Sequence, residues 1–250
     1  MLPKEEISKN HEICLELLDK FLEVCEKNSI DYYMAFGSCL GAIRHEGFIP
    51  WDINIDVLMK DVEFEKLDRA MKKENLDGME WCCPDSRMFS LLRRNDSWEY
   101  ETKPNIDVSI YVNAPNNAFL RWLIFRLSYL NIKMYKLKNT DVKRSFPFNV
   151  FKVISSIIPN KLYKGFINLI SKINANRKTE YTSIVLPSVW ENREYIKTDW
   201  YGDTPTYGMF EGRRVKLLKN SHDYLTMRYG NYMKPKVWED KGEYKHVVNK

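Results

Sequence analysis

Cysteine is scarce in this 250-residue chain. Its five thiols are odd in number, and no two are spaced Cys-x-x-Cys. Neighbouring Cys82 and Cys83 would point to opposite faces of a strand. This pattern argues against a disulfide framework and a zinc site, and it predicts reduced, buried thiols in a cytoplasmic chain. Uncharged apolar runs are also missing: none approaches the roughly 20 residues that a spanning helix needs. The longest greasy stretch, Ala118 to Leu137, is broken by Arg121, Arg126, Lys133 and Lys136. The opening residues MLPKEEISKNHEI lack the apolar core of a secretory signal, so none is expected. No internal repeat or low-complexity tract is visible. These absences exclude an integral membrane protein. What is present is the composition of a folded soluble protein, 44% hydrophobic and 29% charged. The length suits one sizeable domain, or a core with an elaborated insertion.

Acids are scarce in one region. Between Ala118 and Glu180 there are thirteen Lys or Arg against two acids, a balance of +11, which leaves −6 for the rest of a chain whose net charge is +5. So localised a basic block calls for an anionic partner close to it. Its periodicity predicts three helices, one from Ala118 and two over Asn149–Ile158 and Lys161–Ile173, parted by Pro159. Apolar faces mixed with Lys and Arg suit a membrane-surface helix, and they also suit an ordinary insertion packed on a core, which is the commoner origin of aromatics at helical spacing. Nucleic acid is not expected, because no recognised binding module accompanies the charge.

The informative stretch is Tyr32–Lys60, YYMAFGSCLGAIRHEGFIPWDINIDVLMK. It reads as strand Tyr32–Phe36, a Gly37-Ser38 turn, a short helix, and a second strand with Asp52, Asn54 and Asp56 at alternate positions. Side chains alternate along a strand, so these three would share one face while Ile53 and Ile55 take the other. Three oxygen-bearing groups on an apolar strand need a partner, and a hard divalent cation such as Mg²⁺ (or Mn²⁺) satisfies them while leaving positions for phosphate. Backbone N–H groups at Gly37-Ser38 would suit a phosphate, and Arg44 offers a planar cation to phosphate oxygens. His45 and Trp51 read as positional residues.

Around this stretch the chain predicts an amphipathic helix over Lys4–Lys27 with Ile7, His11, Cys14, Leu15, Leu18, Phe21, Leu22 and Cys25 on its apolar face. His11 there reads as a satisfied core histidine. Asp61 is expected to cap a helix over Val62–Lys73, and short strands are expected at Met79–Cys83 and Met88–Leu92 about a Pro84-Asp85 turn. A β-branched strand at Ile106–Val112 carries one acid, Asp107. It reads either as a strand-edge turn contact or as a third carboxylate beside Asp52 and Asp56. Near the end lie Phe210-Glu211-Gly212 and a helix His222–Tyr229 stopped by Gly230.

The run Gly-Ser, Leu-Gly-Ala-x-Arg-His, Gly-Phe-Ile-Pro-Trp-Asp, then Ile-Asp, resembles the LicD family, whose relatives include fukutin and fukutin-related protein. The resemblance implies an α/β (α+β) class: a nucleotidyltransferase-like mixed sheet flanked by helices, with a basic helical insertion. The implied division is a catalytic core over 1–117, the insertion over 118–180, and a segment completing core and pocket over 181–250. The implied activity is metal-dependent transfer of an alcohol phosphate, such as phosphocholine, from a CDP-linked donor to a hydroxyl of a cell-surface glycan or its lipid-linked precursor. In that reading Asp52, Asn54, Asp56 and Asp107 hold two Mg²⁺ or Mn²⁺ ions, Gly37, Ser38 and Arg44 hold donor phosphate, and 118–180 touches the cytoplasmic face of the membrane. An "IDV/F" strand in the family supports the role of Asp107. The family reads W-D-x-D-[IV]-D where this chain has Asn54, which carries no charge and cannot bridge two cations. A silent nucleotide- or glycan-binding homologue is the alternative implied by that change. A Trp or Tyr could face a choline ammonium by a cation–π contact, but the sequence names no single one.

Overall fold

A computed structural model of the chain describes residues 4–83, 90–99, 103–139, 148–175, 177–185, 195–204 and 206–234. The expected Pro84-Asp85 turn and the start of the Met88 strand lie outside these residues. The fold is mixed α/β, seven helices and a curled mixed sheet among the described residues. Contacts divide it into two compact units. The first comprises Met1–Cys82, Leu91–Val108 and Trp200–Lys250; the second comprises Cys83–Ser90 and Ser109–Asp199.

The first unit begins with helix α1 (Lys4–Lys27), whose acidic first turn and basic last residue suit the helix dipole. Its buried stripe is Ile13, Cys14, Leu17, Leu18, Phe21, Val24 and Cys25. That stripe is rotated from the expected one, for Leu15 and Leu22 are only half-buried. Strand β1 is just Tyr33–Met34, and it pairs antiparallel with β2 (Ile55–Lys60). Between them lies helix α2 (Phe36–Arg44). Helix α3 (Asp61–Met71) follows β2 directly, with Lys60 as its N-cap residue and no side-chain cap bond. Asp61 is thus the first helical residue, where a carboxylate faces the helix N-terminus, and not the cap. Strands β3 (Met79–Cys82) and β4 (Ser90–Arg94) pair antiparallel, and β5 (Asn105–Ala114) completes the sheet order β1-β2-β5-β4-β3. A hairpin of β8 (Thr206–Phe210) and β9 (Arg213–Leu217) and helix α7 (Ser221–Tyr229) close this unit.

In the second unit the far half of β5 pairs with β6 (Tyr181–Ile184), and β6 with β7 (Tyr195–Lys197). Three helices belong to it: α4 (Ala118–Lys138), α5 (Phe148–Ile157) and α6 (Asn160–Ile173). Asn117 caps α4 by accepting from the Leu120 N–H, and Pro159 sits at the N-cap of α6, where a missing N–H costs nothing.

Candidate active site

The acidic motif is less regular than its alternating sequence. Only Asp56 lies on β2, which starts at Ile55; Asp52 and Asn54 belong to the loop before it. The cause is local. Asp52 donates its N–H to the Ile49 carbonyl (2.8 Å) in a turn after Pro50, and its carboxylate accepts from the Ile53 N–H (3.1 Å). Those backbone groups are spent on the turn, so no ladder forms until Ile55.

The loop is held from behind by α1. His11 Nε2 lies 2.8 Å from the Asp52 carbonyl oxygen, and its ring stacks on Phe48 at 3.9 Å between centroids. Phe48 meets Phe210 edge-on at 4.8 Å. The expected core histidine is therefore a support for the acidic loop.

Helix α2 holds it from the other side. Gly37 and Ser38 lie inside the first turn of the helix and not in a turn ahead of it. A Cβ at Gly37 would stand 2.5 Å from Asp52 Oδ2, so glycine is what lets that carboxylate lie against the helix. Ser38, 2% exposed, accepts from the Asp56 N–H through Oγ at 2.8 Å. Phe36 opens the helix at φ +45°, an unusual conformation for a bulky residue. Its N–H donates to Tyr224 Oη (3.1 Å), and the Arg228 guanidinium covers its ring at 4.1 Å.

Asp56 and Asp107 converge from β2 and β5, as expected for Asp107. Asn54 lies between them and donates through Nδ2 to Asp107 Oδ2 (3.1 Å) and to Asp56 Oδ1 (3.3 Å). Along β5, Ile106, Val108 and Ile110 are buried, while Asp107 falls on the half-exposed face with Asn105 and Ser109. Burial first, then the charges of Asp107 and Asp52, push the Asp56 carboxyl well above the ordinary carboxylate range; Arg228 and the Asn54 amide oppose this. Burial raises Asp107 too, again against the Asn54 amide. Burial also takes the Tyr229 hydroxyl up to about 12, with the charges of Asp56 and Asp52 pushing the same way and Arg228 opposing them. Arg228 and Tyr229 are functional candidates the sequence reading missed. An Arg-Tyr-Gly end of a helix carries no mark of facing acids more than 170 positions earlier.

Arg44 donates from Nη1 to the Tyr232 carbonyl and from Nε to His45 Nε2 (3.0 Å). Burial, then Arg44, lowers the pKa of His45, which keeps it a neutral acceptor. Trp51 is exposed. The Phe210-Glu211-Gly212 turn is structural: Glu211 Oε1 accepts from the Phe48 N–H (3.1 Å), and its own N–H donates to the Glu46 carbonyl (2.8 Å). Gly47 packs so closely on the Glu211 side chain that no Cβ would fit.

Among the described residues no three His, Cys, Asp or Glu side chains gather into a ready metal cage. The donor set suits instead a cation held by one or two carboxylates with water and phosphate completing its shell, the usual arrangement for Mg²⁺. Two part-buried carboxylates fit such an ion electrostatically, because it would offset the burial, and then the mutual repulsion, that raise Asp56.

The sequence model of the LicD/FKTN/FKRP nucleotidyltransferase domain matches residues 29–153, half of the chain. In an alignment of 249 positions that covers 91% of each protein, the chain is 26% identical to the lipopolysaccharide cholinephosphotransferase LicD of Haemophilus influenzae. A 42-residue stretch, 17% of this chain and 16% of the other, is 40% identical to an uncharacterised protein of Rickettsia prowazekii.

Proposed function

The chain belongs to the LicD family, and from that premise we propose that it transfers phosphocholine, or a similar alcohol phosphate, from a CDP-linked donor to a hydroxyl of a cell-surface glycan or its lipid-linked precursor. The observation that supports this reading is the pair of part-buried carboxylates on β2 and β5, drawn together through the Asn54 amide, where a phosphate-bound cation would offset their burial and mutual repulsion. Its relative of 26% identity is named for phosphocholine transfer and lipopolysaccharide, which favours choline and a surface glycan over other choices.

In the reaction an acceptor hydroxyl oxygen attacks the alcohol-bearing phosphorus. A new P–O bond forms, the bond to the bridging oxygen breaks, and CMP leaves. Asp56 and Asp107 would hold Mg²⁺ or Mn²⁺, which would neutralise charge on the donor phosphates. Asp107, half-buried on its strand beside Asn54, would also accept the proton released by the acceptor hydroxyl. Arg228, whose charge opposes the rise of Asp56, would stabilise charge on the departing CMP.

Calorimetry with CDP-choline, and with CDP-glycerol, CDP-ribitol and CTP as comparators, tests this with and without Mg²⁺. Metal-dependent binding of one CDP-alcohol is expected. Failure of every cytidine nucleotide to bind sinks the proposal.

A second reading rests on Asn54, whose amide faces both carboxylates and ties them together without adding charge. Such a site binds metal weakly and suits a homologue that binds a nucleotide or glycan with little or no turnover. Asn54→Asp separates the two. An enzyme limited by its metal gains turnover of CDP-choline in Mg²⁺ after the change, whereas unchanged inactivity favours the silent reading.

A further inference from the structure

Helices α4, α5 and α6 of the second unit carry an apolar face that nothing in the described chain covers. On α6 the buried stripe is Tyr163, Ile167 and Ile170. A second apolar stripe lies beside it, with Leu162, Leu169 and Ile173 exposed at intervals of seven and four residues. The described side chains of helix α5, from Phe151 to Ile157, put polar inside and apolar outside. Ser155 is 0% exposed and its carbonyl accepts from Tyr163 Oη (3.1 Å), while Ile157 is 75% exposed and Phe151 and Ile154 about half. A surface helix of a soluble core ordinarily turns such residues inward, and clustered exposed aliphatics mark an interaction face.

The polar part of these helices has one sign. Together they hold nine Lys or Arg and no Asp or Glu. Long basic side chains bury their methylenes at a boundary while the charge stays wet. Aliphatic stripes set among basic residues are the composition of helices that lie in the headgroup region of a bilayer. None of the helices is long and apolar enough to cross a membrane.

We propose that α4–α6 form a docking face for an anionic phospholipid surface, with the α5 and α6 aliphatics entering the headgroup boundary and Lys152, Lys161, Lys164 and Lys172 of those two helices meeting lipid phosphates. A second copy of the chain is a poor occupant, because pairing this face with itself would set cations against cations. The proposal stands apart from the transferase reading, since it uses no residue of the acidic site.

The test is co-sedimentation of the full chain with vesicles of phosphatidylcholine alone, and of phosphatidylcholine mixed with phosphatidylglycerol, at low and high salt. The expected result is binding to the anionic vesicles that weakens with salt and is slight on neutral ones. The double variant Ile157→Glu with Leu162→Glu alters exposed positions only, so its melting temperature should match that of the parent. Its partition onto anionic vesicles should fall at least about tenfold. Absence of binding by the parent overturns the proposal, as does unchanged binding by the folded double variant. If the parent ignores vesicles but sediments as a dimer that the double variant disperses, the face belongs to a second copy and the lipid assignment is wrong.

Discussion

Asn54 sets the character of the site at the level of single residues. Its amide supplies the two hydrogen bonds that let Asp56 and Asp107 approach without a cation. Even so, the Asp56 carboxyl is raised in the folded protein, chiefly by burial. The folded state then binds more protons than the unfolded chain, so the Asp56 contribution opposes folding at neutral pH. That opposition fades as pH falls through the folded pKa. Asp56→Asn should therefore melt higher than the parent in metal-free buffer at alkaline pH, and the gap should close as the pH is lowered through the raised folded pKa. Calorimetric melts across that range check it, and a gap that widens on acidification counts against the charge argument. Gly37 sets a second limit. A methyl there would press on Asp52 Oδ2, and the displaced carboxylate would disturb the loop more than the core. Gly37→Ala should lower donor turnover by about tenfold or more, because small misplacements at a reacting centre are costly. Its melting temperature should move by only a few degrees, about what ~1 kcal/mol produces in a chain of this size.

Elements explain what could and could not be read beforehand. The α1 helix, the Asp107 strand, the two helices either side of Pro159 and the helix ending at Gly230 were all legible from periodicity and breakers, within a residue or two at their ends. The acidic stretch was misread as a strand because Asp52, Asn54 and Asp56 alternate as strand residues do. The turn after Pro50 uses up the backbone groups a ladder would need, and no alternation pattern reports that. Ser38 and Gly37 were legible as important and wrongly placed, in a turn ahead of α2 when they are inside it. In the described contacts they shape the acids: Ser38 receives the Asp56 N–H and Gly37 makes room for Asp52. Arg228 was not legible at all, since its role depends on how α7 returns to β2. The Glu211 turn is the element on which the loop before β2 depends. Glu211→Ala would leave the buried Phe48 N–H without its acceptor, a loss of about 1–3 kcal/mol. A thermal melt should drop accordingly, whereas Glu211→Gln, which keeps an acceptor oxygen, should stay near the parent.

At the scale of the whole molecule the expectation of buried thiols holds for Cys14, Cys25 and Cys39, whereas Cys82 and Cys83 are only half-buried. All five are free, and Cys14, Cys25 and Cys39 are buried with raised thiol pKa values, about 12 for Cys14 and Cys39. A disulfide reagent at neutral pH should titrate no more than Cys82 and Cys83 in the folded protein and all five thiols in denaturant. Rapid reaction of a third thiol would mean that α1 or α2 opens far more readily than this packing allows.

The long sequence distance between the acidic motif and its supports matters before the protein is finished. Phe36 waits for Tyr224 and Arg228, Phe48 waits for Glu211, and Arg44 waits for Tyr232. On the ribosome, where folding proceeds from the N-terminus, the entire motif emerges long before any of these partners exist. A nascent chain halted before Arg228 would display every letter of the motif and no assembled site. Truncation before α7 would therefore leave the motif whole in sequence and its residues without their supports.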